Sequence, residues 1–357
     1  MTVERAASTD LAAPAARPPE APRSAWWMRV VMNNVFWVLV ILVLISLGFT
    51  LINGAFLSPY NIRSLITDNA YVLVMAVGMV FVLCTAGLDL SVGSVLVLSG
   101  VVSAKVFLAF GSANPAIGAD AIGWGPVVIG MAAGLAVGTA FGVINGTLIA
   151  YAKVPPFITT LGSFGAALGI AYLLTNGSDL SNMPNLLTVD IGSEGPFGAA
   201  EIWMIIIVLA IVALAAMLLA YTRFGRYTYA IGSNPESARR VGINVQRHLV
   251  KVYGLMGLLA GVAGLLSLAN VSTTTISGHT ADALSVIGGC VIGGTSLFGG
   301  RGTVVGAFIG ALIPAALDSG FVIISVSPFW EYVAVGIVLV LAVYFDQWRR
   351  RRTQQAM

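Results

Sequence analysis

The sequence predicts an all-α fold: a polytopic transmembrane helical bundle of about ten spans, with the N- and C-termini both cytoplasmic. Three observations predict it. The 357-residue chain is 58% hydrophobic and only 9% charged, with a mean hydropathy of +0.93, whereas soluble domains carry roughly 25% charged residues. Apolar runs of about 18 or more residues recur, each long enough to cross a hydrocarbon core of about 30 Å as a helix. Lys and Arg gather at three points along the chain with an acidic stretch between them, which orients the spans. A water-soluble fold is excluded because so few charges cannot cover its surface. The long uniform runs, with Gly 41, also exclude the alternating strands of an outer-membrane barrel.

Residues 1–30 are Ala- and Pro-rich with scattered charges and read as a disordered cytoplasmic tail. The run from Val35 to Ile52 is too long for a signal peptide, and no small-residue cleavage site follows it. The transmembrane domain extends over 31–347. Its expected spans are 32–53, 66–85, 91–110, 125–151, 156–176, 201–222, 249–270, 283–298, 303–325 and 329–346. The third, eighth and tenth are short or Gly-rich, so the count ranges from nine to eleven. A basic tail, 348–357, closes the chain.

Charge placement sets the orientation. Arg5, Arg17, Arg23 and Arg29 lie in the first tail, six basic residues lie in 223–251, and Arg349 to Arg352 end the chain. These three regions should share the cytoplasm. Segment 177–201 carries Asp179, Asp190, Glu194 and Glu201 with no basic residue and should face outward. Ten spans satisfy all these placements and leave Arg63 as the exception. Trp26, Trp27 and Trp37 read as interface anchors.

In the fourth span Gly130, Gly134, Gly138, Gly142 and Gly146 recur at every fourth residue. That spacing makes a smooth groove on one helix face, into which a neighbouring backbone fits. The series Gly254, Gly257, Gly261, Gly264 and Gly302, Gly306, Gly310 predict the same dense packing. Cys84 and Cys290 are far apart in apolar sequence and read as small packing residues, with no metal-like or disulfide-like spacing.

Segment 222–249 has the signature of a short helix between two spans. Ser233 or Asn234 can cap it, Pro235 fits its first position, Glu236 favours the positive end, and Gly242 can end it. Such a helix either docks a soluble partner or is a basic loop that merely fixes topology. Glu236-Ser237-Ala238 followed by Gly242 resembles the EAA-x3-G signature of importer permeases of the ATP-binding cassette class, with Ser237 where many relatives have Ala. "AGLDLSVGS" (Ala86 to Ser94), "KVPPFITTLG" (Lys153 to Gly162), the 222–245 stretch and "VIGGTSLFGGRGTVVGAFIGAL" (Val291 to Leu312) occur in the order of the ribose, xylose and arabinose branch. The resemblance covers about 30–346 of the chain.

The resemblance implies a sugar-translocating subunit of a bacterial inner membrane. A cytoplasmic ATP-binding-cassette ATPase would drive it, a periplasmic or lipid-anchored binding protein would deliver the sugar, and a second permease chain, expected to be another copy, would complete the pathway. It also implies that Asn234, Pro235, Glu236, Ala238, Arg239, Arg240 and Gly242, over about 234–243, form the helix that couples to the ATPase. The chain itself has no G-x4-G-K-[ST] phosphate loop, and none of Lys105, Lys153 and Lys251 follows a glycine. No catalytic residue, metal site, cofactor or nucleic-acid partner is expected.

Polar residues within apolar sequence are the pathway candidates. Asp89 interrupts the chain between the second and third spans, and a mid-membrane carboxylate costs about 2.5–3.5 kcal/mol without a partner. It either lines a re-entrant turn with Ser91 or caps a tight cytoplasmic turn. Asn69, Asn145 and Asn270 can bond sugar hydroxyls or hold helices together. Phe157 and Phe164, near Pro155 and Pro156, can narrow a pathway or simply pack. His279 and Asp282 read as residues near the outer end of the seventh span, able to meet the delivery protein but too few for a proton relay. Gly300 to Gly306 faintly echoes Gly87 to Gly93. The alternative class is an ion-coupled secondary sugar transporter, which would need more intramembrane charge pairs. A membrane enzyme would want clustered His, Cys or carboxylates, and His248 and His279 are predicted to lie on opposite sides.

Overall fold

The computed structural model describes residues 34–113, 118, 120–194 and 201–355. The expected tail with Trp26 and Trp27 lies outside the described residues, and the basic 348–357 segment is described only as helix backbone as far as Gln355.

Apolar helix-forming runs, broken by Gly, Pro, Asn and Ser, give thirteen principal helices in chain order. They are α1 (Asn34–Ile52), α2 (Pro59–Thr67), α3 (Ala70–Cys84), α4 (Val92–Ala113), α5 (Trp124–Ala150), α6 (Pro156–Thr175), α7 (Ile202–Tyr221), α8 (Arg223–Ser233), α9 (Pro235–Arg240), α10 (Val245–Val271), α11 (Asp282–Ile292), α12 (Val304–Ile323) and α13 (Trp330–Gln355). There is no strand among the described residues.

Seven helices are long and apolar enough to span a membrane: α1, α4, α5, α6, α7, α10 and α12. The bent pair α2 and α3, meeting at 52°, makes eight if counted as one span. Every one of the ten expected runs falls on a helix, but the eighth and tenth fall on shorter apolar stretches, Asp282–Ile292 and Trp330–Leu341. The eighth is cut short by Gly293 and Gly294, the latter at φ +88°, which turn the chain out of the helix.

The core is built around α3. From Leu73 to Cys84 its apolar side chains are wholly inaccessible, so this helix is enclosed on every face by others. α10 passes beside it with Tyr253, Val252 and Met256 equally buried. By contrast α1 turns much of its surface outward, with Trp37 and Leu44 more than half exposed, as a helix facing lipid does.

The glycine stripe on α5 meets two different neighbours. A side chain at Gly130 or Gly134 would run into Phe107, Ser99 or Ser103 of α4. One at Gly138, Gly142 or Gly146 would strike the α10 backbone at Gly257, Tyr253 or Val250. Gly257 in turn abuts Gly138 and Gly142, so the two backbones interlock in an antiparallel pair. Close backbone approach supplies the van der Waals contact that apolar lipid would otherwise provide equally well to separate helices. Gly289 and Gly293 against Gly306 and Gly310 repeat the arrangement between α11 and α12. Both cysteines are buried, and the Cys290 thiol donates to the Ala76 carbonyl at 3.2 Å, as small packing residues do.

The acidic segment between α6 and α7 folds back onto the end of α10. The Asp179 carboxylate accepts from the Ile276 backbone N–H at 2.9 Å, and Leu180 N–H donates to the Thr274 hydroxyl at 2.7 Å.

Candidate functional site

The shortest named helix, α9, is also the most sharply delimited. Asn234 is extended (φ −161°), and its side chain accepts from Ser237 N–H at 3.0 Å. Pro235 occupies the first helical position, where no N–H is needed. Glu236 lies in the first turn and faces Arg239 at 4.0 Å and Arg240 at 3.7 Å. At the far end Gly242 adopts φ +85°, Ile243 N–H donates to the Ala238 carbonyl, and Gly242 N–H donates to the Arg239 carbonyl. This is the Schellman termination, and it includes the apolar contact between Ala238 and Ile243 that usually accompanies it. The ion pairs are solvent-exposed and contribute only about 0.3–0.5 kcal/mol each, so the caps define the helix.

Ala238 is the one residue of α9 that is buried, against Ile231 of α8 and Val245 of α10. Glu236, Ser237, Arg239 and Arg240 are exposed, and Val241 beside them is 77% exposed. The segment therefore presents a charged face with an apolar residue at its edge.

α8 fastens α9 to the bundle. Thr222 caps it, accepting from Gly225 N–H at 3.4 Å, and its buried side holds Thr228 and Ile231. Thr228 shares a 2.9 Å hydrogen bond with His248 near the start of α10. The Tyr229 hydroxyl donates to the Gly302 carbonyl at 2.7 Å. Burial, with a smaller contribution from Cys84, pushes this phenol up to about 12, so it remains the donor. Gly232 lies against the Cys84 carbonyl and Gly300 N–H, where a methyl group would collide with backbone. Gly300 N–H donates to that same Cys84 carbonyl at 2.9 Å. The Gly87 and Gly300 loops, which echo each other in sequence, thus meet at the α8 docking surface.

From the end of α3 the chain runs without helix through residues 85–91, with Ala86 at φ +59°. Asp89 is 2% exposed. Its carboxylate accepts from Ser91 N–H at 2.9 Å and from the Ser91 hydroxyl at 2.6 Å. Asn145 of α5 donates to the Ser91 hydroxyl at 3.1 Å, and the Ser163 hydroxyl of α6 donates to the Asn145 side-chain oxygen. Tyr253 of α10 donates to the Leu88 carbonyl at 3.3 Å. Asp89 therefore combines features of both expected readings. It makes the turn that leads into α4, and it does so buried within a chain of polar groups joining α4, α5 and α6.

Of the seven pathway candidates, Asp89, Ser91 and Asn145 come together. The others lie elsewhere. Asn69 donates to Leu65 at 3.1 Å within the α2–α3 bend. Asn270 donates to the Asp68 carboxylate at 3.2 Å at an exposed position. Phe157 is half exposed and Phe164 half buried on α6.

A second polar group lies at the other end of α3. A cavity of about 120 Å³ is lined by Asn69, Tyr71, Asp282, Ser285, Asp318 and Glu331, among others. Sequence reasoning missed Asp318 and Glu331, although a carboxylate inside an apolar run is the signal for such residues. His279 and Asp282, read as near the outer end of the seventh span and able to meet a delivery protein, are both buried. Their burial is offset by hydrogen bonds: His279 Nδ1 pairs with the Asp282 carboxylate at 2.7 Å, while Nε2 meets Ser267 at 2.9 Å and Thr275 at 2.7 Å. No group of three or more His, Cys, Asp or Glu suited to a metal ion occurs among the described residues.

Residues 61–343 match the family model described as "Branched-chain amino acid transport system / permease component". The chain is 32% identical over 320 residues to the fructose import permease protein of Rhizobium meliloti, covering 88% of this chain and 85% of that one. It is 36% identical over 312 residues to the ribose import permease protein of Escherichia coli, covering 86% and 91%. It is 33% identical over 381 residues to the xylose transport system permease protein of Escherichia coli, covering 90% and 93%. No solved structure matches.

Proposed function

Because the chain belongs to the family of the branched-chain amino acid transport system permease component, we propose that it is the membrane-spanning permease subunit of an ATP-driven importer for a monosaccharide. The sugar class rests on the relatives, which are named for fructose, ribose and xylose import. The observation that carries the mechanism is α9, a helix capped at both ends, with Ala238 buried and the remaining polar face exposed.

In this reading Asn234, Pro235 and Gly242 fix the shape of α9, while Glu236, Arg239 and Arg240 engage a separate cytoplasmic ATPase. A sugar-binding protein delivers substrate on the other side, and a second copy of the chain completes the pathway. The ten apolar runs all cross the inner membrane, α11 and α13 included, and both termini are cytoplasmic. ATP binding and hydrolysis on the partner change the relative populations of inward- and outward-open states. Motion of α9 reaches the bundle through α8, which touches the end of α3, the Gly300 loop and α10. The Asp89–Ser91–Asn145–Ser163 chain lies on the next segment and is the candidate element that changes arrangement along the sugar pathway.

Reconstitution in proteoliposomes tests the reading. Uptake of ribose, xylose or fructose should require the paired ATPase, ATP and the binding protein together. Uptake driven by an ion gradient in the absence of ATPase would contradict it and return the secondary-transporter alternative.

A further inference from the structure

We infer that the cytoplasmic end of the face formed by α1, α7 and α12 is a binding site for an anionic phospholipid, with its acyl chains in a groove and its phosphate against Arg226 and Arg301. The groove has a volume of about 320 Å³. Val35 of α1, Ala216, Leu219 and Ala220 of α7, and Val304 and Val305 of α12 line it, and Tyr229 of α8 borders it. All three long helices are apolar enough to span the membrane. With these helices as spans, a recess between them opens onto hydrocarbon, and an apolar recess so placed is filled by acyl chain in preference to water.

Charge identifies the headgroup. The 2.7 Å bond from the Tyr229 hydroxyl to the Gly302 carbonyl holds α8 against the loop that precedes α12. Arg301 is the neighbour of Gly302, and Arg226 lies three residues before Tyr229 on α8. Positions three apart on a helix are neighbours on its surface, about 5–6 Å apart at Cβ. Both arginines are exposed. Neither is among the ion pairs of the described residues, which involve Arg239, Arg240 and His279. No Asp or Glu occurs in residues 202–235 or 283–317, so neither segment supplies a carboxylate of its own. Two exposed arginines on the segments that border an apolar groove would complement a phosphodiester with two acyl tails, since the planar fork of Arg binds phosphate oxygens in pairs. A zwitterionic headgroup carries its own cation and gains less from them.

The site adjoins α8, which continues directly into α9, so a bound lipid braces the segment proposed to meet the ATPase. The placement rests on the proposed orientation, with these helix ends cytoplasmic, and not on the identity of the sugar.

The test is lipid retention by the purified, delipidated full-length protein, read by native mass spectrometry. Phosphatidylglycerol and phosphatidylcholine of the same acyl composition are offered in turn. The wild type should retain phosphatidylglycerol preferentially. Arg226→Gln with Arg301→Gln should weaken retention by about 25-fold, taking about five-fold for each basic residue at an anionic leaflet. Ala220→Trp, which fills the groove and keeps both charges, should also lose the lipid. Arg247→Gln, exposed and basic but outside the groove, should retain it. Glycerophosphoglycerol, the headgroup phosphodiester without tails, should not compete. Equal retention of the two lipids, undiminished retention by the double glutamine variant or by Ala220→Trp, or displacement by glycerophosphoglycerol would each overturn the proposal.

Discussion

Gly142→Leu should abolish the folded bundle. The residue faces the Tyr253 carbonyl, and a Cβ placed there comes within 3.0 Å of both the N and Cα of Gly257. Its neighbours are backbone atoms, so no side-chain rotation relieves the clash. The helices α5 and α10 must separate, and with them the contacts at Gly138 and Gly146 on the same stripe. Overpacking a core usually costs about 1–3 kcal/mol where side chains can adjust. Here the cost should exceed that range, because the obstacle is the main chain of Tyr253 and Gly257, which no side-chain rotation moves. Gly48→Leu on α1 is the contrast, since nothing lies within 4 Å of a Cβ there. Its effect should stay within about 0.5 kcal/mol, as for other surface substitutions. Size-exclusion profiles after graded heating in detergent compare the two variants. Full retention of the monodisperse peak by Gly142→Leu would mean that the interlocked stripe does not hold the bundle together.

Replacing Arg239 and Arg240 together with Glu should stop uptake while leaving the protein folded. Their side chains are 49% and 78% exposed, so neither supports the core, and Ala238 still anchors the helix. The change converts two positive charges into two negative ones beside Glu236. Like charges placed across an interface cost several kcal/mol. A loss of only about 2 kcal/mol in docking corresponds to about 30-fold in affinity, and uptake should fall at least that far. Negative charge in the last turn of a helix is also unfavourable locally. The double Gln variant controls for this: it removes the charge without opposing the dipole, and its uptake should fall less. Membrane yield and thermal stability should match the wild type in both. Undiminished uptake by the Glu pair would remove these arginines from the docking surface.

The parts of this account that were legible in the sequence are the local ones. Asn234, Pro235 and Gly242 signal a helix start and stop within nine consecutive residues, because capping depends on near neighbours, and the structure uses all three. The glycine stripe on α5 was legible for the same reason: a four-residue spacing needs no partner to be seen. Which helix it meets was not, and the stripe proves to be shared between α4 and α10. The joining of Asp89 and Ser91 to Asn145 spans 54 residues from Ser91, and the Tyr229–Gly302 bond spans 73. Each residue alone reads as an isolated polar group in apolar sequence. Ser163 gave no signal, since a serine among Gly and Ala on a packed helix is commonplace. His279 was placed near the outer end of a span and able to meet a delivery protein, but the sequence does not show that the chain after α10 folds back and encloses it between Ser267 and Asp282.

Cross-linking from α9 tests the central claim most directly. Cys84 and Cys290 are both buried, so Ser237→Cys on the exposed face adds a single accessible thiol. In intact cells the account predicts that this thiol resists a membrane-impermeant maleimide added outside. In membranes carrying the whole transporter it should cross-link to the cytoplasmic ATPase, with the yield changing between ATP-bound and nucleotide-free conditions. Labelling from outside, or no adduct with an ATPase that copurifies with the chain, would contradict it.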